Sequence, residues 1–162
     1  MATNRGKAFE AKFKQDFQMM DEVSIDRIYD SVSGFRGIKN ICDFICYKYP
    51  FIFYLECKSI LGNTFPLGNL TQYSKLLEKK NKKGVNAGVI IWFIEKEAIV
   101  YISIEEFERI TNAGYKSINF NKMVNNPEFD ITLIPGQLKR TYITGDYSVL
   151  LKVAEDKLNE NR

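Results

Sequence analysis

Ile41-Cys42-Asp43-Phe44-Ile45-Cys46-Tyr47 and Ile52-Phe53-Tyr54-Leu55-Glu56-Cys57-Lys58 are the two runs on which the reading of this chain turns. Both are rich in β-branched and aromatic residues. They flank Lys48-Tyr49-Pro50-Phe51, a connection of a length common in hairpins. Pairing Tyr47 with Ile52 sets an antiparallel register that places Ile45 against Tyr54 and Asp43 directly opposite Glu56. Alternation along the strands then puts Asp43, Glu56 and Lys58 on one face. Like charges facing each other across strands are destabilising, and buried carboxylates are costly unless paired or bound to metal. A divalent cation removes both penalties, so the hairpin is expected to hold a hard metal ion.

The chain has 162 residues, most simply one domain (residues 1–162), with a core over about 4–112 and a C-terminal extension over 113–162. Hydrophobic residues at 45% and aromatics at 14% exclude a disordered chain. A net charge of +3 is compatible with a nucleic-acid partner without demanding one. The sequence has no histidine, which removes a Ser/His triad, His-ligated zinc and a histidine base. Catalysis must then use carboxylates, lysine, hydroxyls or water. Three cysteines without metal-ligand spacing suggest a reducing cytoplasm and core thiols, with Cys42 and Cys46 opposite Cys57 and Phe53. No run approaches a membrane span and no apolar leader follows Met1, so a cytoplasmic protein is expected.

Around the hairpin, Asn4 to Met20 reads as an amphipathic helix, with Phe9, Phe13, Phe17 and Met20 on one face and Glu10 at its edge. Ile25 to Tyr29 reads as a first strand and Ser31 to Gly37 as a glycine-hinged loop. A second helix is expected over Thr71 to Lys82, and strands over Ala87–Phe93 and Ala98–Ser103. Ser103 and Glu106 match a capping box for a helix to about Asn112. Tyr115 to Phe129 reads as irregular, Ile131 to Ile134 as an edge strand and Ser148 to Asn159 as a terminal helix. This order suits an α/β sheet covered on both faces.

Glu10, Asp43, Glu56 and Lys58 form a set with a clear chemical use. Mg²⁺ prefers octahedral oxygen ligation at roughly 2.0–2.1 Å and usually keeps several waters. Asp43 and Glu56 are the expected ligands, the backbone carbonyl of Cys57 a third, with Glu10 approaching from the first helix. Such an ion acidifies a ligated water and neutralises charge building on a phosphate. Lys58 is placed to orient or deprotonate that water, or to stabilise the transition state. The alternative is a structural salt bridge from Lys58 to Glu56 or Asp43 at a sheet end. Two acids on one face amid apolar residues favour the functional reading.

Asp43, Glu56 thirteen residues on, and then Lys58 resemble the PD-(D/E)xK nuclease core. Asn4-Arg5-Gly6 followed by Glu10, and Phe65-Pro66-Leu67 shortly after Lys58, resemble the RecU family of Holliday-junction resolvases. The likeness spans about residues 4–93, and Gly84-Val85-Asn86-Ala87-Gly88-Val89-Ile90 continues it as the next core strand. The resemblance implies a restriction-endonuclease-like fold, a mixed β-sheet flanked by helices. It implies a homodimer that uses Mg²⁺, with Mn²⁺ as a substitute, to cut four-way DNA junctions during recombination. It gives Asp43, Glu56 and Lys58 catalytic roles, Glu10 a metal-supporting role and Arg5 a DNA contact. The family's glutamine after the Phe-Pro-Leu motif falls nearest Gln72, about two positions early. The long stalk that cellular members insert before the aspartate is replaced here by Ser31 to Asn40, a short form that suits a phage or prophage member.

The expected partner is branched DNA, with no membrane and no small-molecule cofactor. Arg36 and Lys39, just before Asp43, are candidates to hold backbone phosphates near the metal. Lys79, Lys80, Lys82 and Lys83 form a second basic cluster, which either touches DNA or complements a helix dipole at its C-terminal end. Lys139-Arg140 and Tyr142 make a third, weaker patch. Two other readings compete: a restriction or nicking nuclease of the same fold acting on duplex or forked DNA, and a non-catalytic DNA-binding recombination modulator.

Overall fold

A computed structural model describes residues 2–29 and 40–161. The loop expected at Ser31 to Gly37, with Arg36 and Lys39, lies outside the described residues.

The amphipathic pattern near the N-terminus forms helix α1 (Ala2–Phe17). It ends three residues earlier than the apolar spacing suggests. The N–H groups of Met19 and Met20 close back onto the carbonyls of Asp16 and Phe17, which winds the helix down in a tight turn. Phe9, Phe13 and Phe17 are buried on one stripe. Phe13 packs its ring 5.1 Å from Phe44 and 4.7 Å from Tyr147, the latter edge-on.

The sheet begins with β1 (Val23–Arg27), β2 (Phe44–Lys48) and β3 (Phe51–Ile60). The hairpin register is the expected one: Tyr47 pairs with Ile52 and Ile45 with Tyr54. Its loop is tighter than four residues, because Lys48 already pairs with Phe51 and leaves Tyr49-Pro50 as the turn. The β2 ladder also starts later, at Phe44 opposite Leu55, where the alternating run had suggested Ile41. Cys42 therefore leaves the row of Cys46 and Cys57. It packs in the opposite core, beside Leu70 and Leu76.

Beyond β3 the chain runs through β4 (Thr64–Pro66), a 3-10 turn (Leu67–Asn69) and α2 (Tyr73–Leu77) into β5 (Val85–Phe93). Helix α2 is much shorter than the Thr71–Lys82 expectation. Only Leu76 in it is fully buried, the N–H groups of Lys79 and Lys80 bond three residues back, and Asn81 turns left-handed at φ 56°. The run Glu78 to Lys83 has no apolar residue to hold a further turn against the sheet. β6 (Ala98–Ser103) and α3 (Ile104–Asn112) follow, and Ser103 Oγ caps α3 by accepting the Glu106 N–H at 3.2 Å. The stretch read as irregular contains a short strand β7 (Ser117–Asn119), paired with β4, and a single-turn α4 (Phe120–Met123). β8 (Ile131–Ile134), the hairpin β9 (Gly136–Leu138) and β10 (Ile143–Gly145), and α5 (Val149–Glu160) complete the chain.

Six strands form one mixed sheet in the order β1-β2-β3-β5-β6-β8, parallel between β3 and β5 and antiparallel elsewhere. One face carries α1 and α5 over Phe44, Phe53, Leu55 and Trp92. The other carries α2, α3 and α4 over Val89, Ile91, Val100 and Ile102. Residues past 112 are integral to this sandwich: β8 closes the sheet edge, and Tyr147, Leu150 and Ala154 sit in the α1 core. No helix among the described residues is long and apolar enough to cross a membrane.

Candidate active site at the strand fork

The site arises where β2 and β3 part. After Phe44–Leu55 the ladder stops, and the Cys57 N–H, which would have lost its strand partner, is taken by Asp43 Oδ2 at 3.0 Å. The Asp43 backbone carbonyl meanwhile accepts the Ile28 N–H at 2.8 Å, just past the end of β1. Asp43 thus ties three chain segments together. In an extended strand the N–H and C=O of one residue point to the same edge, so the Cys57 carbonyl faces the Asp43 side of β3.

Glu56 lies next in line on β3, buried at 3% exposure. Its Oε1 meets Lys58 Nζ at 3.0 Å, and its Oε2 is buried without a hydrogen-bond partner. Two residues apart on one strand, Glu56 and Lys58 share a face, as the alternation requires. The salt bridge considered as an alternative is therefore present, but it satisfies only half of the carboxylate. Burial pushes the Glu56 carboxyl up to about 7, and the negative charge of Asp43 adds to the shift against the pull of Lys58. Burial raises Asp43 as well, and Glu10 adds to it, while the Cys57 N–H works the other way.

Glu10 comes from α1, whose axis brings its N-terminal half to this end of the sheet. Phe9 stacks 5.7 Å from Trp92, and Trp92 is the β5 partner of Ser59. Its carboxylate is held by Arg27 Nη1 at 2.5 Å. Arg27 is a participant the sequence reading missed. Gln72 reaches the site too, in spite of its early position. It lines, with Arg27, Asn40, Asp43 and Glu56, a cleft of about 450 Å³. The buried Phe65 of β4 and the 3-10 turn after Pro66 set the path that delivers it there.

The basic residues divide. Arg5 is exposed on the first turns of α1 at the site end of the sheet, next to Gly6, which faces Ser59. Lys79 lies 4.8 Å over the ring of Tyr54, one pleat repeat from Glu56 on the same strand. Lys80 is engaged by both carboxylate oxygens of Glu108, at 3.0 and 2.9 Å. Lys82 turns back to the Glu78 carbonyl and Lys83 is exposed. Both precede Gly84, whose carbonyl accepts the Ile52 N–H. Ile52 is four residues, roughly 13 Å, along β3 from Glu56. The four lysines are therefore not one surface facing the acids.

Among the described residues, no three carboxylate or thiol side chains stand ready to enclose a metal ion. The donor set present is two carboxylates and a strand carbonyl, with one buried Glu56 oxygen unpartnered. That fits a hydrated Mg²⁺, which takes one or two carboxylates and keeps several waters, and does not fit a closed four-ligand zinc cage. Burial pushes the Cys42 thiol up to about 12 and raises the Cys57 thiol well above its ordinary range, which disfavours a thiolate at the fork.

No protein-family model and no curated protein matches this chain. Among solved structures, the Holliday junction resolvase Hjc from the archaeal hyperthermophile Archaeoglobus fulgidus is similar. The TM-score is 0.53 at 16% identity, over 72% of this chain and 89% of that one. At this identity the likeness is one of fold alone: the six-stranded mixed sheet flanked by helices matches a resolvase/restriction-endonuclease-like fold.

Proposed function

We propose that the protein is a Mg²⁺-dependent endodeoxyribonuclease that cuts branched DNA, a Holliday-junction resolvase of the RecU type. The observation that carries this reading is the half-satisfied Glu56. A carboxylate at 3% exposure with one bare oxygen, beside Asp43 and Lys58, costs several kcal/mol unless a ligand completes it. That it does so on a fold shared with a resolvase supports the same assignment. Asn4-Arg5-Gly6, Glu10 and Phe65-Pro66-Leu67 favour the RecU kind, and the short segment before Asp43 favours a phage member.

In this reading Asp43, Glu56 and the Cys57 carbonyl hold the ion, and Glu10 supports it. When bound, Mg²⁺ supplies a Lewis acid that neutralises phosphate charge and lowers the pKa of the attacking water. Lys58 Nζ, already anchored at 3.0 Å on Glu56, would orient the attacking water and stabilise charge on the phosphate as it becomes five-coordinate. Gln72 positions substrate or water from the opposite wall of the cleft. Arg5, and Arg36 with Lys39, contact backbone phosphates. The whole chain acts as one nuclease domain. Two copies pair as a homodimer, since symmetric junction cleavage needs two sites on opposing strands.

Incubation with a mobile four-way junction, a Y-fork and linear duplex, each with Mg²⁺ and with EDTA, tests the assignment. Mg²⁺-dependent paired nicks at the junction are expected. Equal cutting of duplex would replace it with a restriction or nicking nuclease, and binding without cleavage with a recombination modulator.

A further inference from the structure

Arg27 sits among the carboxylates without a role in the reading above. Val23, Ile25 and Arg27 share one face of β1, and Val23 and Ile25 pack on the α1 core. Arg27 continues that row to the fork. Its guanidinium lies 2.5 Å from Glu10 and 5.4 Å over the ring of Phe44, the neighbour of Asp43. A second ring, Tyr29, lies 5.6 Å away. The Arg27 and Glu10 side chains are 28% and 18% exposed, and Arg27 shares its cleft with Asp43 and Glu56.

We propose that Arg27 is a cationic placeholder: it neutralises Glu10 beside the Asp43–Glu56 pair until a divalent cation is loaded, and that exchange frees its guanidinium for a DNA phosphate. The inference rests on the nuclease reading above and adds a coupling to it. Three acids converge here, and the charge of Glu10 acts on both Asp43 and Glu56. Lys58 offsets Glu56, a backbone N–H serves Asp43, and Arg27 offsets Glu10. While the pair is made, Glu10 Oε2 is committed to Arg27, so a metal that draws on Glu10 competes with the guanidinium for its charge. Once the pair opens, the guanidinium remains supported by the Phe44 and Tyr29 rings. It is charged at any working pH, weakly hydrated and shaped for two-pronged phosphate contact. Metal affinity and phosphate affinity are then linked through one side chain, and the linkage is reciprocal.

The test uses the full-length protein, freed of metal, and Ca²⁺ as a probe read by calorimetry. Removal of the competing cation in Arg27→Gln should tighten Ca²⁺ binding roughly three- to tenfold, with Arg27→Lys near wild type. Junction affinity should rise on adding Ca²⁺ in the wild type. Arg27→Gln should lose most of that rise. Ca²⁺ binding to Arg27→Gln that is equal or weaker overturns the placeholder and makes Arg27 a scaffold for Glu10. Should Arg27→Gln fail to fold, Glu10→Gln decides: with the clamp gone, its junction affinity in EDTA should exceed wild type, and no gain overturns the inference. A wild type that binds no Ca²⁺, indistinguishable from Asp43→Asn, overturns the nuclease reading itself.

Discussion

Two glutamates are buried among the described residues, and their charges are met in opposite ways. Glu106, on α3 at 7% exposure, has both oxygens occupied. Arg109 donates to them from Nε at 2.8 Å and Nη2 at 2.5 Å, and the Asp130 N–H adds a third bond at 3.0 Å. Arg109 also reaches the Glu128 carbonyl, so the group clasps the segment before β8 onto α3. Glu56 receives one ammonium and leaves its other oxygen bare. A carboxylate whose bonds are all made within the chain is a structural part. One left incomplete at a fork between strands is poised for something the chain does not contain.

The largest consequence of that contrast is in catalysis. Glu56→Gln or Asp43→Asn should reduce junction cleavage by roughly a thousandfold or more while the protein still folds and binds DNA. Glu106→Gln should change the rate per folded molecule little. Near-normal cleavage by either fork variant in Mg²⁺ would remove the distinction. Next in size is Lys58→Ala, expected to slow single-turnover cleavage roughly a hundredfold with junction Kd changed less than about threefold. Weakened binding with normal turnover would make Lys58 a phosphate contact.

Stability gives a third, smaller difference, measurable by urea unfolding in EDTA. The Glu56 carboxyl ionises near 4.5 when unfolded and at about 7 when folded. Its folded pKa is raised, so the stability it contributes is fully present below pH 4.5 and is lost as pH rises through 7. Glu56→Gln lacks that loss, and its advantage over wild type should grow across this window to on the order of 2–3 kcal/mol at pH 8. Glu106→Gln should instead lose about 1–2 kcal/mol at pH 8, discounted because Arg109 is half exposed. Equal destabilisation by both variants would mean that the two sites are alike.

The hairpin register and the acids it carries were legible because both are local. Period-two alternation and a tight turn leave few pairings, and a charged residue in an apolar row stands out. Glu10 was legible as the edge of a regular helix face. Arg27 was not, since its partner is seventeen residues upstream and on another element, yet it carries the same signal as Asp43: a charge closing an apolar row, after Val23 and Ile25. The departure of β2 at Phe44 was also hidden. The alternation runs on to Ile41, and only the side-chain bond from Asp43 to the Cys57 N–H ends the ladder early. The β4–β7 pairing depends on contacts between segments about fifty residues apart, which no local pattern displays.

The smallest expected effect concerns the basic residues, where one charged run hides unlike members. Lys80 is spent on Glu108, and an ion pair as exposed as this one is worth about 0–1 kcal/mol of stability. Lys80→Ala should therefore leave the salt dependence of junction binding unchanged. Arg36 and Lys39 precede Asp43 in the chain. Replacing both with alanine should flatten the slope of log K against log salt by up to about two counterions' worth, and should reduce the preference for junction over duplex. Titrations of both DNAs across a salt series measure each quantity. A slope change in Lys80→Ala equal to that of the double variant would mean that Glu108 releases Lys80 when DNA arrives. Equal loss of duplex and junction affinity in the double variant would make the loop a general phosphate clamp and place junction preference elsewhere.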